Sequence, residues 1–182
     1  MSWSVMSAEA VTPQRWKNNG GWTRELLAWP HSNDWALRIS VADIEADGPF
    51  SAFEGVQRWF GVLSGHGVRL WDYELCVGDD LLSFDGALAP DCELIKGPTR
   101  DFNVMHQRAR GQLRVFRAEQ AWVAEGQLVA LFSVGGGVLN HGGRETPLAP
   151  LSLAWCETPA AQPLSFKGAG GDAWWMVWSE SA

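Results

Sequence analysis

The chain has 182 residues, 46% of them hydrophobic and 19% charged, with a net charge of −7. That is the composition of a globular protein, and a chain of this length buries a core without a disulfide or metal to hold it. The acidic balance excludes broad, non-specific binding to nucleic acid, which needs a positive surface. Cys76, Cys92 and Cys156 are odd in number and form no CxxC pair, so neither a disulfide framework nor a zinc site is signalled. The opening MSWSVMSAEAVTPQRW lacks the basic and apolar regions of a signal peptide, and no stretch approaches the roughly 18 apolar residues of a membrane span. A cytoplasmic protein with reduced thiols is expected.

In chain order, the first segment of interest is WKNNGGWTREL (16–26). Helical spacing runs weakly through RWKNNGGWTRELLAW (15–29), but two glycines in its middle cost about 1 kcal/mol each in a helix. The segment reads as a leader in which Asn and Gly serve turn geometry. Strand signals then dominate. In DWALRISVADI (34–44), Trp35, Leu37, Ile39 and Val41 alternate with Ala36, Arg38, Ser40 and Ala42, the period of a half-buried strand. RWFGVLSGHGVRLW, DDLLSF, GQLRVFR, GQLVALFSV, LSLAW and AWWMVWS also read as strands, separated by turn signals such as ADGPF, SGHG, KGPT and KGAGGD. Many short strands spaced by turns predict an all-β sandwich or barrel.

A weak internal repeat adds to this. SGHGVRLW (64–71) and VGGGVLNH (134–141) share a GxGV core at an offset of 70, and GDDLLSF (78–84) lies over LAPLSLA (148–154) at the same offset. Two copies of one β-unit would give a leader over 1–30, a first lobe over 31–105 and a second over 106–182. A jelly-roll barrel closing around a small cavity suits such a series of Gly turns and strands.

The polar residues on these strands set the candidate site. If both faces of 34–44 are covered, Arg38 becomes a buried cation that must be paired. Asp101 and Asn103 in GPTRDFNVM alternate with Phe102 and Val104, presenting a carboxylate and an amide on one face, with Met105 beginning the other surface. Arg58 opens the strand RWFGVL. Lys17, Arg38, Arg58, Asp101 and Asn103 together would form a polar cluster inside an apolar barrel. Metal ligation has little support: His31, His66, His106 and His141 form no HxH, HxxH or HxxxH pair. No GxSxG elbow occurs, and GHG and GGG open no helix after a strand. The arginines between 100 and 117 read as a solvated strand face. Most of the twelve tryptophans should fill cores, with one or two on a pocket wall.

WKNNGGWTREL, LRISVADIEADGPFSAFEGVQRWFGVLSGHGVRL and GPTRDFNVM, in this order, resemble the HutD family, which includes the Ves proteins. The resemblance covers 14–105 in detail. It implies a double-stranded β-helix of the cupin type, duplicated as a bicupin. The family's motif positions fall on Trp16, Lys17, Asn18, Gly20, Gly21 and Thr23, on Arg38, Ser40, Gly48, Pro49, Phe50, Ser51, Phe53 and Arg58, and on Asp101, Asn103 and Met105. Of these, Trp16, Lys17, Asn18, Arg38, Ser40, Phe53, Arg58, Asp101, Asn103 and Met105 are expected to bind a ligand. Asn19, where the family often has glycine, leaves the loop path open, and Leu37 stands where an aromatic is common.

The family is associated with histidine utilisation, so the resemblance implies a non-enzymatic protein that binds an acidic pathway intermediate such as urocanate or N-formylglutamate. The chemistry is compatible, because Arg suits a carboxylate by its bidentate geometry. The expected partner is a small anionic metabolite, with no cofactor, metal, nucleic acid or membrane; a homodimer stays open. Two alternatives also stay open. One is a metal-independent cupin-type isomerase acting on a small sugar or acid, with Lys17 or Asp101 as acid/base. The other is an interaction protein whose polar cluster is internal ion pairing.

Overall fold

A computed structural model describes residues 2–159 and 161–180. The chain divides into two compact units, Val11–Ala109 and Met1–Ala10 with Arg110–Ala182. Its strands are β1 (Ser4–Ser7), β2 (Gln14–Arg15), β3 (Gly21–His31), β4 (Asp34–Ile44), β5 (Gly48–Pro49), β6 (Val56–Ser64), β7 (Val68–Leu70), β8 (Tyr73–Leu75), β9 (Leu82–Asp85), β10 (Asp91–Leu94) and β11 (Thr99–Gln107). They continue with β12 (Gly111–Arg117), β13 (Trp122–Val123), β14 (Leu128–Ser133), β15 (Gly137–His141), β16 (Arg144–Leu148), β17 (Ser152–Glu157), β18 (Pro163–Gly168) and β19 (Ala173–Glu180). Helix is confined to two 3-10 turns, Ala8–Ala10 and Gly86–Leu88, among the described residues. None is long or apolar enough to cross a membrane.

Each unit holds one larger and one smaller antiparallel sheet. In Val11–Ala109 the orders are β2-β3-β4-β11-β6-β9 and β5-β10-β7-β8; in the other unit they are β1-β17-β14-β19-β12 and β13-β18-β15-β16. Set β4 to β11 against β12 to β19 and the orders coincide: β4-β11-β6-β9 matches β12-β19-β14-β17, and β5-β10-β7-β8 matches β13-β18-β15-β16. The offset of 70 found in the sequence falls on this correspondence, since β9 opens at Leu82 and β17 at Ser152.

The units are drawn differently from the expected segments. The boundary expected after residue 105 falls inside β11, and the division lies between Ala109 and Arg110. Among the described residues, the segment expected to be a leader over 1–30 is divided between the two units. Ser4–Ser7 pairs with β17 and so joins the second unit, while Gly21–His31 is a strand paired along most of β4. Strand pairing satisfies the backbone groups of both segments, which a free leader would leave to water.

Sheet faces that meet inside each unit form its core. In the first unit Ile44, Phe50, Phe60, Val62, Val68, Leu70, Leu75, Phe84 and Cys92 are buried together, with Trp16, Leu82 and Leu94 against them. In the second, Val129, Leu131, Leu139, Leu164, Trp175 and Val177 belong to the cluster, with Trp3, Phe116, Trp122 and Phe166 against them.

Candidate functional site

The Val11–Ala109 unit contains a cavity of about 420 Å3. Its wall begins with β4. Alternation sends Arg38, Ser40, Ala42 and Ile44 toward the cavity, while Leu37, Ile39 and Val41 are fully buried on the opposite face. Both faces of the strand are therefore covered, and Arg38 is paired: its Nε donates to Glu25 Oε2 at 2.7 Å. β11 adds Asn103 and Met105. Met105, expected to begin the other surface, lies on the Asn103 side, because residues two apart on a strand share a face.

Arg58, from β6, is the buried cation of the site, 6% exposed. Its Nη2 donates to Asn103 Oδ1 at 2.9 Å, whereas Nε and Nη1 have no acceptor among the described residues. The guanidinium carbon lies 4.6 Å from the centre of the Phe50 ring and 5.3 Å from that of Phe84, both favourable for a cation over a π face. Burial, and then the nearby Arg38, lower its pKa to about 10, so it stays charged at neutral pH. Sequence periodicity marked Arg38 as the expensive cation. In the fold Arg38 has a carboxylate partner, and it is Arg58 that lacks one among the described residues.

WKNNGG forms the rim. Trp16 N donates to Gly21 O at 3.0 Å, Asn19 N to Trp16 O at 3.0 Å, and Gly20 N to the Asn18 side chain at 2.9 Å, which closes a tight turn. Trp16 Nε1 donates to Thr23 Oγ1 at 2.8 Å. Gly21 is where the chain passes too close for a side chain: a Cβ there would sit 2.3 Å from Asp43 O and 3.1 Å from the Trp16 ring. Asn19 adopts a φ of 59°, the left-handed conformation that glycine takes freely and asparagine tolerates. The loop path left open in the sequence is thus the one a glycine would follow. Trp16, Lys17 and Asn18 all line the cavity, as does Phe53, whose N–H is held by Gly86 O at 2.9 Å.

All of the expected site residues line this cavity except Asp101. Asp101 is fully buried in the same strand, opposite Ala42 and Val62, with Oδ2 accepting from Thr99 Oγ1 at 2.8 Å and Oδ1 without a partner among the described residues. The one-residue register shift between Arg100 and Asp101 alters the pairing with β6 at this point. Burial pushes its pKa up to about 8, the Thr99 hydrogen bond lowers it in part, and Asp43 raises it further.

Gln14, Arg15, Ala42 and Ile44 line the cavity without having been expected there. Ala42 and Ile44 were legible, since they continue the alternation of Arg38 and Ser40; Gln14 and Arg15 were not, because only the pairing of β2 with β3 brings them to the rim. Arg15 donates to Glu45 at 2.5 Å. Among the described residues no group of three or more His, Cys, Asp or Glu side chains is placed to hold a metal ion. His106 is buried edge-on to Trp59 at 5.8 Å, on the β11 face away from Asn103, and burial lowers its pKa to about 4.

The wall therefore carries Arg15, Lys17, Arg38 and Arg58, and no aspartate or glutamate. Arg15 and Arg38 face the carboxylates of Glu45 and Glu25; Lys17 and Arg58 face none among the described residues. Such an arrangement can receive a small anion, offering charge and oriented N–H donors in a partly apolar enclosure.

Comparison with known proteins agrees with the sequence motifs. Residues 8–174 match the HutD family model. An uncharacterised 21.2 kDa protein of Pseudomonas putida, in the hutC 3′ region, is 35% identical over 154 residues, covering 78% of this chain and 79% of its own. Protein Ves of Citrobacter koseri is 30% identical over 118 residues, 61% of each chain. The structure of HutD from Pseudomonas fluorescens SBW25 superposes over 100% of both chains with a TM-score of 0.84 at 25% identity. A cupin 2 conserved barrel domain protein from Leptotrichia buccalis, at 11% identity, covers 98% of this chain and 96% of its own with a TM-score of 0.54, a likeness of fold alone. The chain belongs to the HutD family and has an all-β, cupin-like fold.

Proposed function

We propose that the cavity of the Val11–Ala109 unit binds a small organic acid, and that the protein modulates histidine utilisation by doing so, without catalysing a step. The carrying observation is the charge of the wall: four cationic side chains and no acidic one in a protein whose net charge is −7. A buried cation without a counter-ion is costly, and a bound carboxylate would offset that cost at Arg58. Two of the four cations are paired with carboxylates of the protein, and the other two face none among the described residues. That balance favours N-formylglutamate, which carries two carboxylates, over urocanate, which carries one. The link to histidine utilisation draws on family membership and on the Pseudomonas putida relative in the hutC 3′ region. The shared strand order of the two units supports the further reading of the chain as a duplicated cupin barrel.

The enzyme reading has less support. Asp101, one of its two acid/base candidates, does not line the cavity, and Lys17 is exposed at the rim. The test is isothermal titration calorimetry of N-formylglutamate, urocanate and histidine into the wild-type protein and Arg58→Met. Saturable binding of an acid is expected, weakened in Arg58→Met by about 1.5–3 kcal/mol, roughly ten- to a hundredfold. NMR of the recovered ligand should show it chemically unchanged. If neither acid binds at millimolar concentration, the proposal fails.

A further inference from the structure

We propose that Glu25 is a positioning residue for the cavity, anchoring Arg38 through its Nε so that the rest of the guanidinium is presented to the bound anion. The proposal rests on the reading of the cavity as an anion site.

Arg38 lines the cavity and Glu25 does not. The contact between them is a single charge-assisted hydrogen bond, Arg38 Nε to Glu25 Oε2 at 2.7 Å, between side chains 25% and 32% exposed. A guanidinium has five N–H donors in a rigid plane. Holding the one on Nε fixes that plane while the donors on Nη1 and Nη2 stay available. Arg58 is held comparably, with one nitrogen bonded to Asn103.

The backbone is irregular where this contact is made. Along the β3–β4 ladder Ala28 pairs with Arg38 and Leu27 with Ile39, so unbroken register would set Leu26 opposite Ser40. Instead the register shifts and Glu25 is opposite Ser40. The inserted residue is Leu26, itself 4% exposed. Because side chains alternate with period two, this one extra residue exchanges a leucine for a carboxylate on the face that carries Arg38 and Ser40. Bulges of this kind re-aim side chains beside binding sites.

The test compares the affinity of N-formylglutamate, by titration calorimetry, for wild type, Glu25→Gln and Glu25→Ala, each also combined with Arg38→Met. Glu25→Ala should weaken binding roughly tenfold, and Glu25→Gln, which keeps an oxygen acceptor for Nε, should stay within about threefold of wild type. In the Arg38→Met background, Glu25→Ala should change nothing further, because its effect passes through Arg38. A ligand-independent readout is the Arg38 Nε–Hε signal in a 1H–15N spectrum, identified by its loss in Arg38→Met. It should stay sharp in wild type and Glu25→Gln and broaden by exchange with water in Glu25→Ala. Unchanged or tighter binding in Glu25→Ala, or a loss that persists without Arg38, overturns the proposal alone. A wild-type protein that takes up no anion overturns the reading of the cavity, and this proposal with it.

Discussion

The two units of this protein share a strand order and differ in what fills them. Inside Val11–Ala109, β4, β6 and β11 contribute Arg38, Ser40, Arg58, Asn103 and Met105 to a cavity. In the other unit the corresponding strands, β12, β14 and β19, contribute Phe116, Val129, Leu131, Trp175 and Val177 to an apolar cluster. Trp175 sits at its centre, fully buried, with Trp122 at 5.4 Å and Trp3 at 6.4 Å between ring centres. The same sheet pair can thus enclose an apolar cluster or a polar cavity. What decides is whether the inward positions carry side chains that close-pack or side chains that keep charge and leave space.

Breaking the filled unit should have the largest effect. Trp175→Ala would remove a central aromatic and leave a cavity, at about 3–5 kcal/mol of unfolding free energy in urea titrations. Arg58→Met in the other unit should weaken anion binding roughly ten- to a hundredfold with no comparable loss of stability, because it replaces a buried charge by an apolar side chain of similar length. If Arg58→Met destabilised the protein as much as Trp175→Ala, the contrast between site and scaffold would be lost.

A smaller effect sharpens the comparison through pH. Asp101 holds its proton in the folded chain up to about pH 8, whereas the unfolded chain releases it near its ordinary value of 3.8. Stability from this group is fully present below about pH 4 and is lost as the pH rises toward 8, beyond which it levels. The groups that bear on it are Thr99, which donates to it, Asp43, which raises it, and Cys92, whose own thiol is pushed up to about 12 by burial and then by Asp101. Asp101→Asn keeps the acceptor for Thr99 and removes the titration. Urea midpoints from pH 5 to 9 should show the variant gaining on wild type up to about pH 8, by roughly 2 kcal/mol or more. Parallel curves would mean that Asp101 is ionised throughout.

The smallest expected effect lies at the rim. Asn19→Gly relieves a left-handed backbone but adds freedom to the unfolded chain, so thermal unfolding should report a change below about 1 kcal/mol. A larger change would show that the Asn19 side chain has a role beyond turn geometry.

How far the sequence could be read depended on the range of the interaction concerned. Alternation in DWALRISVADI placed Arg38 and Ser40 on one face correctly, and the same rule would have added Ala42 and Ile44. It failed for Gly21–His31, where two glycines and an interrupted period hid a strand eleven residues long. The interruption is the bulge at Leu26, and with it went any sign that Glu25 shares a face with Arg38. Met105 needed only the two-residue rule. Asp101 could not have been separated from Asn103 in this way, since residues two apart share a face, yet Asn103 lines the cavity and the fully buried Asp101 does not.

The sequence by itself determined the all-β class, the family and most of the side chains around the cavity, because strand period and turn chemistry are local and the three ordered motifs are specific. The tertiary structure alone decided which cations are compensated: Arg38 meets Glu25 thirteen positions away, Arg15 meets Glu45 thirty away, and Arg58 meets an amide forty-five away and, among the described residues, no carboxylate. The energy of a charge depends on what surrounds it and on how well water is excluded, and both are set by strands that pair across the fold rather than along the chain.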